Sequence, residues 1–483
     1  MSRAARWIVA AAVAALLTAC ASSRGLHTEA TLTDPDHLKA QQTLAAAQTD
    51  ASTWPQTQWW KSFGDPQLDQ IMDEALAGNP DLRIAEARLR QALAQAAGVD
   101  ATRKPSASLS AQAAGARTSQ DGFVPPPYNG TWIGFEQINA VLSWQLDLWG
   151  RNRANYESAV GSAKAAELDT QAARLSLTVS IARIYAQMAG DYLQLDVAQD
   201  SLKQREQILD LTRQRNREGM DSMLEVRQAE AGVPDAREQI GLLSESTEQA
   251  RNALAALIGA GPDRALSIQH PAIHAGGTSV LPTSVPSELL GHRPDLLAQR
   301  WRVEAASRGI DAAHADFYPN VNLTAFAGLQ SLGTGTFLAW GNRQYGVEPA
   351  ISLPLFDAGR RRAGLAARDA EYDAAVEQYN QALTEGLHDV ASALTAMRSL
   401  DLLRRDARAG LAAAQQAYDL ALLRYREGLG NYLNVLSAEG QLLSQRRLDA
   451  QLQGQTLTAT VDLTRALGGG FTPPADAFEE HHP

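Results

Sequence analysis

The sequence predicts a mixed α and β fold in which one unit is built twice. The segment 217–230 recurs in register as 426–439, with Arg, Glu, Gly, Leu, Val, Ala and Glu at matching positions. Each half also contains two segments that alternate apolar and polar residues, followed by a very long helical pattern. A repeat of this length duplicates a whole architectural unit. Each half therefore reads helix, strand, loop, strand, very long helix, turn and long helix.

Residues 1–19 predict a signal peptide, since basic residues precede an apolar stretch, 7–17, that is too short to span a membrane. The stretch ends in Leu17-Thr18-Ala19-Cys20, which resembles a bacterial lipobox. We therefore expect Cys20 to be the acylated first residue of the mature chain, stably anchored by several acyl chains. The non-acidic Ala21 favours the outer membrane. The alternative is an ordinary signal peptide with an incidental cysteine.

The composition excludes several classes of function. Cys20 is the only cysteine, so the mature chain has no internal disulfide. The net charge of -11, without a basic cluster, argues against a nucleic-acid partner. The nine histidines form no metal-ligand spacing, no serine lies in a GxSxG motif, and the loop around 333–335 lacks the strand–helix context of a phosphate site. We expect no enzyme activity, no catalytic residue, no metal and no cofactor.

Four segments alternate apolar and polar residues with a period of two: 105–116, 138–148, 319–330 and 345–355. Alternation over about ten residues is typical of transmembrane β-barrel strands, with lipid on one face and water on the other. The alternative is a half-buried sheet in a soluble domain, but the signal peptide and the lipobox favour the barrel. Aromatic residues in and beside the interstrand loops are typical of the girdle at a membrane surface: Phe123, Tyr128, Trp132, Phe135, Phe337, Trp340 and Tyr345.

Four strands are too few to close a barrel, for which about eight is the practical minimum. An open sheet in lipid would leave its edge hydrogen-bonding groups unsatisfied. The barrel must therefore be shared between copies of the chain, with eight strands from two copies or twelve from three. The spacing of the strands does not choose between these. No stretch after the signal peptide has about 18 consecutive apolar residues, so we expect no transmembrane helix.

The segments 151–217 and 360–426 place apolar residues at steps of three and four without an intervening proline, which predicts two long coiled-coil helices. About 65 helical residues form a rod of roughly 100 Å. Shorter partner helices are predicted at 221–258 and 431–467. Pro234 is expected to kink or interrupt the first partner helix.

These patterns divide the chain into six parts. They are a signal peptide, 1–19; a lipidated N-terminal segment, 20–65; a first structural repeat, 66–260; a linker, 261–286; a second structural repeat, 287–468; and a flexible C-terminal tail, 469–483.

In this order, the features resemble the TolC/OprM-like outer membrane factors, in the lipoprotein branch of drug-efflux outer membrane channels. The resemblance implies a homotrimer whose twelve strands form one barrel in the outer membrane, continued by a helical coiled-coil barrel in the periplasm. It also implies two protein partners, a periplasmic adaptor (membrane fusion) protein and an inner-membrane efflux pump. An RND pump is favoured, and ABC and MFS pumps remain open. The residues that carry the resemblance are 59–66, 75–76, 79–82, 143–150, 353–360 and the two turn motifs.

The resemblance places a periplasmic gate at the two turns. It implies that Tyr425 is a gate tyrosine and that Glu225 is an acid to which it can hydrogen-bond. Gly430 stands where TolC has a basic gate residue, and Asn434 stands where TolC has an aspartate, so Asp221 or Glu225 would have to supply the charge. Leu429 or Met220 would form an apolar constriction instead. The alternative is that Tyr425 and Glu225 only cap and solvate the end of a coiled coil.

The turns themselves are candidate adaptor contacts, and the alternative is a charged tip that is merely solvated. The candidate contacts are Arg217, Glu218, Gly219, Arg426, Glu427 and Gly428.

The resemblance leads to one function and two alternatives. The function is a passive exit duct for drugs or other small molecules across the outer membrane. A channel for type I protein secretion shares the fold, and the lipobox favours efflux. A lipid-anchored periplasmic coiled-coil scaffold without a pore is the second alternative, and the alternating strands argue against it.

Overall fold

The computed structural model describes residues 23–35, 38, 54–273, 291–332, 337–353 and 356–472. The predicted lipidation site at Cys20, the loop motif at 333–335 and most of the C-terminal tail lie outside these residues. None of the described helices carries an apolar stretch long enough to cross a membrane.

The order helix, strand, strand, very long helix and long helix occurs in both halves of the described chain, with one additional helix at the start of the first half, which confirms the mixed α and β fold and its internal repeat. The first half contains α1 (Pro66–Gly78), α2 (Pro80–Thr102), β1 (Ser106–Arg117), β2 (Trp132–Leu146), α3 (Arg151–Arg217) and α4 (Met223–Ile258). The second half contains α5 (Pro294–Ala315), β3 (Asn320–Leu332), β4 (Arg343–Ser352), α6 (Arg360–Arg426) and α7 (Tyr432–Ala466). Short 3-10 helices lie at Trp59–Phe63, Pro262–Ser267 and Trp340–Asn342.

The four strands form one antiparallel sheet in the order β1-β2-β3-β4. The register aligns Leu109 with Ala140, Ala140 with Ala327, and Ala327 with Tyr345. Because side chains alternate along a strand, the apolar residues predicted for all four strands lie on one face of the sheet. Leu109 and Tyr345 on this face are 72% and 77% exposed. The sheet therefore presents a continuous, uncovered apolar face.

The described chain forms two compact units. One contains residues 23–32, 88–166 and 298–380, including the whole sheet. Within the described residues, the other contains 33–35, 38, 54–87, 167–273, 291–297 and 381–472, including both helix-hairpin turns.

The core of the second unit explains the Trp-Trp-rich motif at 59–66. Trp60, Phe63 and other apolar side chains of this region are buried with residues of α1 and α3. The Asp65 side chain caps α1 by accepting from the backbone N–H of Gln67 at 2.9 Å, and it also accepts from the Tyr185 hydroxyl at 2.7 Å. Burial, together with the bond to Asp65, raises the pKa of Tyr185. One carboxylate thus ties the start of α1 to α3.

Helix α4 runs through Pro234, so of the expected kink or interruption, the interruption does not occur. Proline removes one helical hydrogen bond and clashes with the preceding turn, but the flanking Val233 and Ala236 are buried. Arg205 also donates to the carbonyl oxygen of Gly232 at 2.6 Å. The buried neighbours and this hydrogen bond stabilise the helix at a residue that, by propensity alone, would be expected to end it.

Candidate functional site

The two turns that the sequence repeats have the same backbone structure. Gly219 and Gly428 adopt positive φ angles of 75° and 74°. The next N–H closes each turn, from Met220 to the Arg215 carbonyl at 2.9 Å and from Leu429 to the Arg424 carbonyl at 2.8 Å. Glycine favours this left-handed conformation because it has no Cβ. The repeated Arg-Glu-Gly motif therefore encodes one helix-ending turn twice.

The helices that follow the turns begin with side-chain caps. Ser222 and Glu225 form a capping box, in which Glu225 accepts from the Ser222 N–H at 2.9 Å. Hydrogen bonds, first from the Ser222 side chain, lower the pKa of the Glu225 carboxyl. In the second hairpin the Asn431 side chain accepts from the Asn434 N–H at 3.1 Å. Glu225 and Asn434 thus hold equivalent positions, the third residue of each helix.

The expected hydrogen bond between Tyr425 and Glu225 is absent from this chain, and Tyr425 bonds to Asp221 instead. The Tyr425 side chain is fully buried, and its hydroxyl donates to the Asp221 carboxylate. The hydroxyl oxygen also lies 3.2 Å from the Thr212 hydroxyl. Glu225 is unavailable because the capping box, a local interaction, already holds its carboxylate. Burial and the bond to Asp221 raise the pKa of Tyr425 to about 12, so its hydroxyl stays a donor at neutral pH.

Arg215 completes this group, which we call the tip cluster: Arg215, Asp221 and Tyr425. The Arg215 Nε donates to Asp221 at 3.0 Å, and its Nη1 donates to the Tyr425 carbonyl oxygen at 2.8 Å. The guanidinium also lies over the Tyr425 ring, 4.4 Å from its centroid. Because Tyr425 belongs to α6 and the other two belong to α3 and its turn, the cluster joins the two hairpins of one chain.

The tip cluster occurs once per chain, although the turns repeat. Asn216 takes the place of Tyr425 in the first hairpin, where its amide donates to the Asp221 carbonyl oxygen at 2.8 Å. The counterpart of Arg215 is Arg424, which is exposed. The sequence carries no signal that separates these two arginines, so Arg215 is not among the predicted site residues.

A second ionic group, built around the buried Glu439, lies farther from the turns and was not predicted either. Arg205 of α3 donates to Glu439 of α7 at 3.1 Å and to Asp235 of α4 at 2.6 Å. We call these three residues the Arg205 cluster. Glu439 is only 2% exposed, and burial raises the pKa of its carboxyl although Arg205 opposes the shift. The cluster links three helices through one guanidinium.

The remaining predicted tip residues lie at the surface. Leu429 is 72% exposed and Met220 is 52% exposed. All six candidate adaptor contacts are also exposed. The two turns therefore carry charged and apolar side chains together. Within the residues that the structure describes, no group of His, Cys, Asp or Glu side chains is placed to hold a metal ion.

Comparison with known proteins identifies the chain's relatives. A family model described as outer membrane efflux protein matches residues 71–260 and 285–469. The chain is 36% identical over 368 residues to the fusaric acid resistance protein FusA of Burkholderia cepacia, covering 74% of this chain and 68% of FusA. It is 30% identical over 433 residues to the multidrug resistance outer membrane protein MdtP of Escherichia coli K12, covering 87% and 88%.

Among solved structures, the outer membrane protein VceC of Vibrio cholerae matches with a TM-score of 0.82 and 37% identity. The match covers 86% of this chain and 100% of VceC. These findings confirm the resemblance that the motifs and their order indicated.

The Arg205 cluster predicts a distinctive pH dependence. A folded-state pKa above 4.5 means that folded Glu439 binds a proton more readily than the unfolded chain does, so its contribution to stability falls as the pH rises above 4.5. The free energy of unfolding of the wild type, measured relative to Glu439→Gln, should fall over that range.

Glu230, the repeat counterpart of Glu439, provides the matched control. Hydrogen bonds from Arg213 and Arg227 lower the pKa of its carboxyl below 4.5, so its contribution is present above pH 4.5 and is lost as the pH falls further. Thermal unfolding across the acidic range gives the free energy of unfolding of the wild type relative to each variant. Plotted against pH, this difference should have a negative slope for Glu439→Gln and a positive slope for Glu230→Gln. Slopes of the same sign would contradict the assignment.

Proposed function

The chain belongs to the outer membrane efflux protein family, and on that premise we propose that it is the outer membrane exit duct of a tripartite efflux system. The observation that carries the proposal is the four-stranded sheet with one continuous, exposed apolar face. Such a face suits contact with lipid, while the opposite face, rich in Ser, Asn and Gln, suits contact with water. A soluble scaffold would have no use for it.

The duct would be a homotrimer. Within the described chain, β1 pairs only with β2, and β4 pairs only with β3, so each end strand keeps an unpaired edge. In lipid these edges need partners, and copies of the same chain supply them when β4 of one copy pairs with β1 of the next. Two copies would give eight strands, whose interior is just wide enough for side chains. Three copies give twelve strands and leave room for a passage.

Exposed aromatic residues support this placement of the sheet. Three aromatic side chains are about three-quarters exposed: Trp132 at the start of β2 (74%), Trp340 before β4 (77%) and Tyr345 within β4 (77%). Tryptophan and tyrosine are enriched at membrane–water interfaces. Their positions next to the interstrand loops fit one surface of the outer membrane.

Two of the relatives are named for resistance to fusaric acid and to multiple drugs. We therefore propose small organic molecules, including antibiotics, as cargo, delivered by an inner-membrane pump of the RND type. The lipobox and these relatives favour drug efflux over protein secretion. The chain would be anchored in the outer membrane through Cys20 and would extend into the periplasm.

The periplasmic adaptor would dock on the two turns. Arg217, Glu218, Arg426 and Glu427 offer charges of both signs, and the exposed Leu429 offers apolar surface beside them. Gly219 and Gly428 keep the turns tight, which allows a partner to approach the backbone closely.

The tip cluster would hold the duct closed. Moving the second hairpin away from the first would break the Tyr425–Asp221 bond and the two contacts of Arg215 with Tyr425, to its carbonyl oxygen and to its ring, in one step. A hydrogen bond to a charged group contributes about 1.5–3 kcal/mol, so this cluster would favour the closed state by a margin that adaptor binding can overcome. Glu225, Leu429 and Asn434 would line the same end of the duct.

We predict that Tyr425→Phe and Asp221→Asn each raise the open probability of the purified channel in planar bilayers by about tenfold, since each removes a charge-assisted bond worth roughly 1.4 kcal/mol or more. Tyr418→Phe is the matched control, because it removes another buried tyrosine hydroxyl of α6 outside the tip cluster. The gate assignment fails if Tyr418→Phe opens the channel as much as Tyr425→Phe does.

We also predict that the mature N-terminal peptide of the wild type carries acyl groups on Cys20, and that Cys20→Ser carries none. Mass spectrometry of the N-terminal peptide measures this directly. Ala21→Ser keeps a small, non-acidic neighbour and should leave acylation intact. An unmodified wild-type peptide would refute the lipid anchor.

A further inference from the structure

A cavity of about 560 Å³ lies in the unit that contains the sheet. It sits at the ends of β2, β3 and β4, where α5 ends and where α3 and α6 begin. Two carboxylates, Asp147 and Asp316, line it together with four arginines. The arginines are Arg151, Arg360, Arg361 and Arg368. This local excess of positive charge, in a chain with a net charge of -11, favours an anionic ligand.

The carboxylates near the cavity already have partners. Asp147 accepts from the backbone N–H groups of Asn152 and Arg153 at 3.0 and 2.8 Å, which caps the start of α3. Asp316 pairs with Arg151 at 2.7 Å. Both carboxylates therefore bind groups of the chain itself. Because Asp147 occupies the N-terminus of α3, a ligand cannot bind there.

Two arginines keep their charge for a ligand. Within the described residues, Arg360 has no acidic partner. Among the residues that the structure describes, Arg368 pairs only with Glu371, at 2.6 Å. That pair is more than half exposed, and Glu371 does not line the cavity. An exposed pair of this kind contributes little, so a stronger anion can replace it. Arg361, by contrast, is held by Asp357 at 3.0 Å.

An aromatic pair lies at the same cavity. Trp149 and Tyr318 stack with their ring centroids 4.9 Å apart, and both are half exposed. Trp149 is fixed by the hydrogen bond from its indole N–H to the Pro319 carbonyl oxygen at 2.8 Å. Leu148, which also lines the cavity, is 62% exposed. Arginines beside exposed aromatic and aliphatic side chains suit a ligand that is both anionic and apolar.

We propose that this cavity binds an anionic glycerophospholipid of the periplasmic leaflet, with Arg360 and Arg368 donating to its phosphate. The position of the cavity at the membrane surface rests on the proposed function. Strands that cross the outer membrane end at its surface, where lipid phosphates lie. Guanidinium groups recognise phosphate through paired N–H donors. Trp149 and Tyr318 contact the glycerol and the first acyl carbons, as interfacial aromatic residues do.

The test is native mass spectrometry of the full-length protein in detergent with equal amounts of phosphatidylglycerol and phosphatidylcholine. The wild type should retain phosphatidylglycerol preferentially. Arg360→Gln combined with Arg368→Gln should retain about tenfold less. The control, Arg405→Gln with Arg408→Gln, makes the same change of charge on α6 outside the cavity and should behave like the wild type. Equal retention by the two double variants would overturn the proposal.

Inorganic phosphate separates a lipid site from a site for a free anion. Phosphate alone, at millimolar concentration, should neither raise the thermal stability of the wild type nor displace the retained lipid. If phosphate binds and displaces the lipid completely, the site takes soluble anions and the lipid assignment is wrong.

Conductance of the wild type in planar bilayers keeps this inference distinct from the proposed function. A conducting wild type without preference for phosphatidylglycerol overturns the lipid site alone. A wild type that retains the lipid through Arg360 and Arg368 but never conducts supports the site and overturns the duct.

Discussion

The unpaired edges of a four-stranded sheet are the constraint on which the rest of this structure depends. The register of β1 to β4 aligns every apolar face on one side, yet the outer edges of β1 and β4 have no partner within the described chain. Each unsatisfied backbone group in lipid costs several kcal/mol. A chain with this sheet in a membrane must therefore share its barrel. Whatever number of copies closes the barrel also sets the number of helix hairpins and tip clusters.

The duplicated sequence conserves backbone structure and varies the side chains that carry charge. Both turns use a glycine with positive φ and the same closing hydrogen bond. Arg215 is buried and its counterpart Arg424 is exposed, while Glu439 is buried and Glu230 is partly exposed. Tyr425 has no tyrosine counterpart, because Asn216 stands at the matching position of the first hairpin. The two hairpins thus share one backbone structure but have different roles. The contacts that link them are made by side chains that differ between the two copies.

The sequence predicted the long helices and the faces of the strands because both depend on periodicity. The bounds of α3 and α6 agree with the segments in which apolar residues recur at steps of three and four. Each helix ends shortly before a glycine, Gly219 or Gly428. The strand ends depend on pairing as well as on periodicity: β2 starts at Trp132, earlier than the predicted start at 138, because its first residues pair with the end of β1. No interruption occurs at Pro234, because tertiary packing outweighs one lost hydrogen bond.

The partners of the site residues were harder to predict, because competition between nearby groups decides them. Glu225 is held by Ser222, three residues away, which leaves Asp221 for Tyr425. The most direct test of the shared barrel is the mass of the detergent-purified assembly. A shared barrel of twelve strands predicts three chains in one particle. A single chain with an intact sheet, stable in detergent at all concentrations, would contradict it.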